Sequence, residues 1–219
     1  MLKIENVSYR YKGSNKDVLK QLNAEFETGE VYAILGPSGS GKTTLLSILT
    51  GLDSPTEGSV FIEGMNISEL DMDMYRREMI GMVFQSFLLF PLLTAVENVS
   101  FTLESSGIDK KTARTKAKTL LDSVGITDDK YKRYPSNLSG GEQQRVAIAR
   151  TLASGAKIIL ADEPTGNLDA ENGEAVIGIL KKLACERESC IIIVTHNLEI
   201  ANIADVVYRI SDGAMELVV

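Results

Sequence analysis

The chain is poor in cysteine, and its two thiols, Cys185 and Cys190, stand five apart without Cys-x-x-Cys spacing. That excludes a disulfide framework and the usual thiolate metal site, and reduced thiols of a cytosolic protein are expected. Positive charge is also scarce: 23 Lys and Arg face 30 Asp and Glu, for a net charge of −7. Such a balance argues against a general electrostatic grip on nucleic acid or on anionic lipid, so no nucleic-acid partner is expected. The single basic run, "DKKTARTKAK", sets Lys110, Lys111, Arg114, Lys116 and Lys118 around Ala113 and Ala117, which reads as the solvated face of a helix. No stretch approaches the roughly 20 apolar residues that cross a bilayer. The opening "MLKIENVSYRY" lacks the apolar region of a signal peptide. Any membrane role must therefore come through a partner. Internal repeats and low-complexity segments are absent as well.

What the 219 residues do contain is alternation. Apolar runs "VYAIL" (31–35), "IGMVF" (80–84), "KIILA" (157–161), "CIIIVT" (190–195) and "VVYRI" (206–210) are separated by helical patterns. Runs apolar on both faces suit parallel strands covered by helices on each side. Helices are expected from Gly41 to Leu49 and where Val176, Leu180 and Leu183 fall at helical spacing. The fold class is therefore α/β with a mainly parallel sheet. Near the N-terminus "LKIENVSYRY", "LNAEFETGE" and "GSVFIEG" alternate apolar with polar residues, which predicts an antiparallel β subdomain. From about 86 to 137 the chain turns helical and polar, with Gly107 and Gly125 as helix stops. This stretch, with the helix that follows it, reads as an α-helical subdomain inserted within a single 1–219 domain.

Chemistry enters at "GPSGSGKT", Gly36 to Thr43, which fits G-x-x-x-x-G-K-[ST] between a strand and a helix. Its glycines let backbone N–H groups turn onto a phosphate, Lys42 supplies a point charge, and the Thr43 hydroxyl suits Mg²⁺. A phosphate loop needs an acid at a neighbouring buried strand end, and "IILADEP" supplies Asp162 for the metal and Glu163 as general base. The only histidine, His196, follows "CIIIVT", where a γ-phosphate contact is expected. Gln85 closes "IGMVFQ" at a similar strand end and offers an amide to Mg²⁺ or water. A second glycine-rich helix start, "NLSGGEQQR" (137–145), lacks a lysine, although one nucleotide is already wrapped by the first loop. It is either a plain helix start or a turn that serves a phosphate belonging to something else.

With these motifs in this order, the whole chain resembles the ATP-binding subunit of an ABC transporter. The resemblance rests on a Walker A loop (36–43), Q-loop Gln85, signature "LSGGEQQR" (138–145), Walker B strand (158–162), Glu163, D-loop "GNLD" (166–169) and switch His196. It implies a P-loop NTPase core and an enzyme that hydrolyses ATP with Mg²⁺. The implied nucleotide set is Gly36, Pro37, Ser38, Gly39, Ser40, Gly41, Lys42, Thr43 and Thr44, with Tyr11 stacked on adenine in preference to Tyr9. Thr43, Gln85 and Asp162 are the implied metal residues, and Glu163, His196 and Gln85 the catalytic ones. Two copies are implied to pair head to tail around two ATP molecules, so that Ser139, Gly141 and Gln143 reach a nucleotide held by the other copy. The stretches "LDSPTEGSVFIEG" and "RREMIGMVFQSFLLFPLLTAVENVS" look most like the macrolide-exporter, lipoprotein-releasing and antimicrobial-peptide-resistance ATPases. That subgroup implies an integral-membrane permease subunit as partner and a position on the cytoplasmic face of the membrane. Part of "FLLFPLLTAV" (87–96) would then line the groove that receives the permease. The alternative is a soluble ABC ATPase without a permease, but the repair type needs a long coiled-coil insertion and the translation type needs two cassettes.

Overall fold

The apolar runs form strands, and the central ones have both faces covered. A computed structural model describes residues 1–218. In chain order its strands are β1 (Leu2–Tyr9), β2 (Leu19–Phe26), β3 (Val31–Leu35), β4 (Glu57–Ile62), β5 (Met65–Asn66), β6 (Ile80–Phe84), β7 (Ile158–Asp162), β8 (Cys190–Thr195), β9 (Val206–Ser211) and β10 (Ala214–Leu217). The helices are α1 (Lys42–Leu49), the one-turn α2 (Met72–Met74), α3 (Ala95–Ser105), α4 (Lys110–Ser123), α5 (Gly140–Ala153), α6 (Ala170–Arg187) and α7 (Leu198–Ala201).

A six-stranded sheet runs β10-β9-β3-β8-β7-β6. Its four inner pairings are parallel from β9 to β6, and only β10 turns back antiparallel on β9. Every residue of β3 and β8 is buried. Because side chains alternate along a strand, Ala33, Ile191 and Ile193 join a core shared with α3, α4, α5 and α6. Ile34, Ile192 and Val194 join a second core with α1 and the N-terminal strands. Those strands form the expected antiparallel sheet, in the order β2-β1-β4-β5.

Between β6 and β7 lie α3 and α4, which end just before Gly107 and Gly125, and then α5. Helix α4 buries Ala113, Ala117 and Leu121 while its lysines and Arg114 stay exposed, so the basic run is a solvated face. The apolar stretch 87–96 divides. Ala95 and Val96 are buried, whereas Leu88, Phe90 and Leu92 are exposed. One element has no signature in the sequence: α2 runs into a wide turn over Tyr75–Met79, and the fully buried Tyr75 donates its hydroxyl to the Leu49 carbonyl at 2.6 Å.

Candidate active site

Strand register brings the predicted residues to one sheet edge. Phe84, Asp162 and Val194 share a row, and Leu35 lies opposite Thr195. The residues that follow, Gln85, Glu163, His196 and Gly36, therefore leave the sheet side by side, as ligand-binding residues do at the carboxyl ends of parallel strands.

The loop after β3 leaves several of its polar groups without partners. Gly41 precedes α1 at φ 106°, and a Cβ there would meet Leu19 Cδ2 at 2.6 Å. No side chain caps α1, so its first N–H groups and its positive dipole end are left for a ligand. The Ser40 hydroxyl is buried without a partner, and Lys42 folds back to donate to the carbonyls of Gly36 at 2.7 Å and Pro37 at 2.9 Å. These groups fit a phosphate, which accepts from all of them. Pro37, Ser38, Gly39 and Thr43 are exposed along the loop, and Thr44 is buried. Tyr11 is half exposed, stands edge-on to Tyr9 at 5.0 Å, and its hydroxyl meets Thr44 Oγ1 at 3.0 Å.

On the acidic side, burial and the neighbouring Glu163 push the Asp162 carboxyl above its ordinary value, while Lys42 opposes them. A cation at this point would offset the same two effects, so the donor set fits one. Glu163 sits in the left-handed region at φ 46°, a strained setting of the kind found at functional sites. Its Oε2 accepts from the Thr195 hydroxyl at 2.8 Å, and its Oε1 accepts from the His196 N–H at 3.1 Å and lies 2.7 Å from His196 Nδ1. The His196 ring is mostly exposed and held on Glu163, with Nε2 as its remaining nitrogen. With Nδ1 donating to the carboxylate, Nε2 donates to a phosphate oxygen only if both ring nitrogens carry protons.

Gln85 is exposed after β6 and pairs with Asn167. The fully buried Gln144 of α5 donates to the carbonyls of Phe84 at 3.3 Å and Pro164 at 2.8 Å, tying α5 to both flanks of the acidic edge. Arg150, also on α5, donates to the carbonyls of Leu88 at 2.6 Å and Phe87 at 3.3 Å. Both carbonyls belong to residues at positive φ. Thr195, Gln144 and Asn167 lie within stretches singled out in the sequence but received no role of their own there. The signal for Gln144 was an amide at an apolar position of a helix, and for Asn167 its place in "GNLD".

Ser139 caps α5. Its hydroxyl accepts from the Glu142 N–H at 3.2 Å, and the Glu142 carboxylate accepts from the Ser139 N–H at 2.8 Å, a reciprocal capping box. Burial works against the charge on Glu142, yet Lys130 at 2.8 Å and the Ser139 groups hold its carboxyl below its ordinary value. A Cβ on Gly141 would fall 2.2 Å from Asn172 Oδ1, so glycine is needed for α5 to approach α6. Gln143 Nε2 donates to the Leu138 carbonyl at 3.1 Å. Among the described residues, no hydrogen bond joins Ser139, Gly141 or Gln143 to the loop after β3.

An uncapped, lysine-bearing helix start with carboxylates two strands away is the arrangement of phosphoryl-transfer sites, and it marks the class as a P-loop nucleoside triphosphatase. Within that class the chain belongs to the ABC transporter family, whose model matches residues 19–166. It is 47% identical over 218 residues to an uncharacterised ABC transporter ATP-binding protein of Methanocaldococcus jannaschii, covering 97% of this chain and 96% of that one. It is 41% identical to the macrolide export ATP-binding/permease protein MacB of Vibrio parahaemolyticus, covering 97% of this chain but only 33% of MacB. Among solved structures it superimposes with a TM-score of 0.87 and 40% identity on a dimeric, post-hydrolysis state of the ATP-binding cassette MJ0796 bound to ADP and Pi. That match covers 99% of this chain and 98% of the other. The chain is thus an ABC ATP-binding cassette, an ATPase.

Proposed function

We propose that this chain is the ATP-hydrolysing subunit of an ABC transporter, in which ATP binding closes a head-to-tail dimer that drives a partner permease and hydrolysis reopens it. The observation that carries the reading is the level sheet edge, where the uncapped phosphate loop, Asp162, Glu163 and His196 emerge together. Residues 36–44 would hold the phosphates, with Tyr11 stacked on the adenine. Thr43, Gln85 and Asp162 would hold Mg²⁺, which when bound neutralises charge on the phosphates. Glu163 takes the proton of the attacking water as general base, and His196 orients that carboxylate while its Nε2 would be left to meet the γ-phosphate. Ser139, Gly141 and Gln143 serve the nucleotide of a second copy. The dimeric state described for MJ0796 supports this pairing.

A permease partner is supported by the MacB relative, whose name joins the two activities in one chain. Among the described residues no helix is long and apolar enough to cross a membrane, so attachment to the cytoplasmic face would run through that partner. A groove of about 330 Å³ between the sheet and the helical part includes Phe90, Phe101 and Arg150 in its lining, and exposed aromatic surface of this kind suits an amphipathic helix.

Replacing the base is the decisive experiment. Glu163→Gln should bind ATP and accumulate as a dimer on size-exclusion chromatography while turnover falls by at least about a hundredfold. Turnover near the wild-type rate would remove Glu163 from the mechanism.

A further inference from the structure

An amide side chain has two chemically different ends, and only its oxygen suits a hard cation. The metal role given above to Gln85 therefore requires something to decide which end faces the site. On that reading, we infer that Asn167 is the positioning residue that makes this decision.

The decision propagates from a group with no choice. The backbone carbonyl of Gln85 can only accept, so Asn167 must present Nδ2 to it, and does so at 3.0 Å. With its nitrogen committed, Asn167 turns Oδ1 toward the Gln85 side chain. An oxygen there can only receive a donor, and Gln85 meets it with Nε2 at 3.2 Å. Gln85 Oε1 is thereby the end left free. The two bonds close a ring between one residue's backbone and side chain and the amide of the other, so turning either amide over would set oxygen against oxygen. The segment around Asn167 is shaped to bring the pair together. A Cβ at Gly166 would lie 2.7 Å from Gln85 Nε2 and 3.0 Å from its amide carbon, so any larger residue there displaces the amide. Gln144 fixes the two backbones on either side, bonding Phe84 and Pro164. The distance between the partners is thus set independently of the Asn167 bonds.

Both residues are exposed, so their replacement should leave the fold intact. The test measures binding of Mn²⁺, a paramagnetic substitute for Mg²⁺, to the complex with a non-hydrolysable ATP analogue, by electron paramagnetic resonance. ATPase rates run in parallel. Gln85→Ala should weaken Mn²⁺ binding. Asn167→Ala should weaken it by roughly threefold to tenfold, the scale of one ordered hydrogen bond, with analogue affinity in the absence of metal unchanged. In the Gln85→Ala background the Asn167→Ala effect should vanish, because the asparagine acts only through the glutamine. Asn167→Asp should not rescue, since a carboxylate cannot donate to the Gln85 carbonyl. Weakened binding in Gln85→Ala with none in Asn167→Ala would overturn the inference alone. An Asn167→Ala effect that persists without Gln85 would do the same by reducing it to a local structural role. Unchanged Mn²⁺ binding in Gln85→Ala would overturn the metal role of Gln85 and the inference with it.

Discussion

The two glycine-rich helix starts look alike in sequence and differ in what they leave unsatisfied. At Gly36–Thr43 the helix has no capping side chain, Ser40 is buried without a partner, and Lys42 is held only by carbonyls of its own loop. At Ser139 the helix start satisfies itself, with Glu142 closing the cap and Lys130 closing on Glu142. The first turn thus has no cap and an unpartnered buried hydroxyl where an anion would fit, whereas the second is held by its own capping box and can still give. The Ser139 hydroxyl accepts in the cap and so retains its own proton to donate. A turn that folds without its ligand can be presented to a ligand held elsewhere. That is the physical requirement for a site divided between two copies.

The comparison predicts different failures for damage to each turn. Removing the charge from the first has the largest effect: Lys42→Ala should weaken ATP binding roughly tenfold to a hundredfold or more, the scale of lost charge-assisted hydrogen bonds. Isothermal titration would read it, and undiminished affinity would show that the incomplete turn is not the nucleotide's. At the second turn, Ser139→Arg should leave the monomer's ATP affinity intact and abolish the ATP-dependent dimer seen by light scattering. An equal loss of monomer affinity would merge the two turns into one site. The smallest effect concerns stability. Asp162 is disfavoured as an anion by burial and by Glu163, so the folded state binds its proton more tightly than the unfolded chain does. Stability therefore falls as pH rises through its titration range. At neutral pH Asp162→Asn should raise the stability of the nucleotide-free protein by roughly 0.5–2 kcal/mol in thermal melts while suppressing hydrolysis. A melting point that fell would show that Asp162 is not held at a cost.

Strands β3, β6, β7 and β8 were legible because burial on both faces writes itself as an uninterrupted apolar run, and β9 by the shorter apolar stretch at its start. Gly36, Gln85, Asp162, Glu163 and His196 could be expected at one sheet edge because each closes or directly follows such a run. The turn over Tyr75–Met79 was not, since "DMDMYRREM" has no period and Tyr75 is fixed by a carbonyl 26 residues away. Strand β10 was missed because its residues are mostly exposed and only pairing with β9 makes them a strand. The individual roles of Asn167, Gln144 and Thr195 were not legible for a related reason. Their partners are carbonyls and amides on other segments, and proximity of that kind is a product of the fold that no local spacing encodes.

The alternation along β8 has a use beyond packing. Ile191 and Ile193 lie in the core that reaches the helical part, and Ile192 in the core beneath α1. Neighbouring methyl groups on a single strand thus look into two separate interiors. Isotope labels one residue apart would act as paired spectroscopic probes, one tuned to events at the nucleotide loop and the other to movements of the helices.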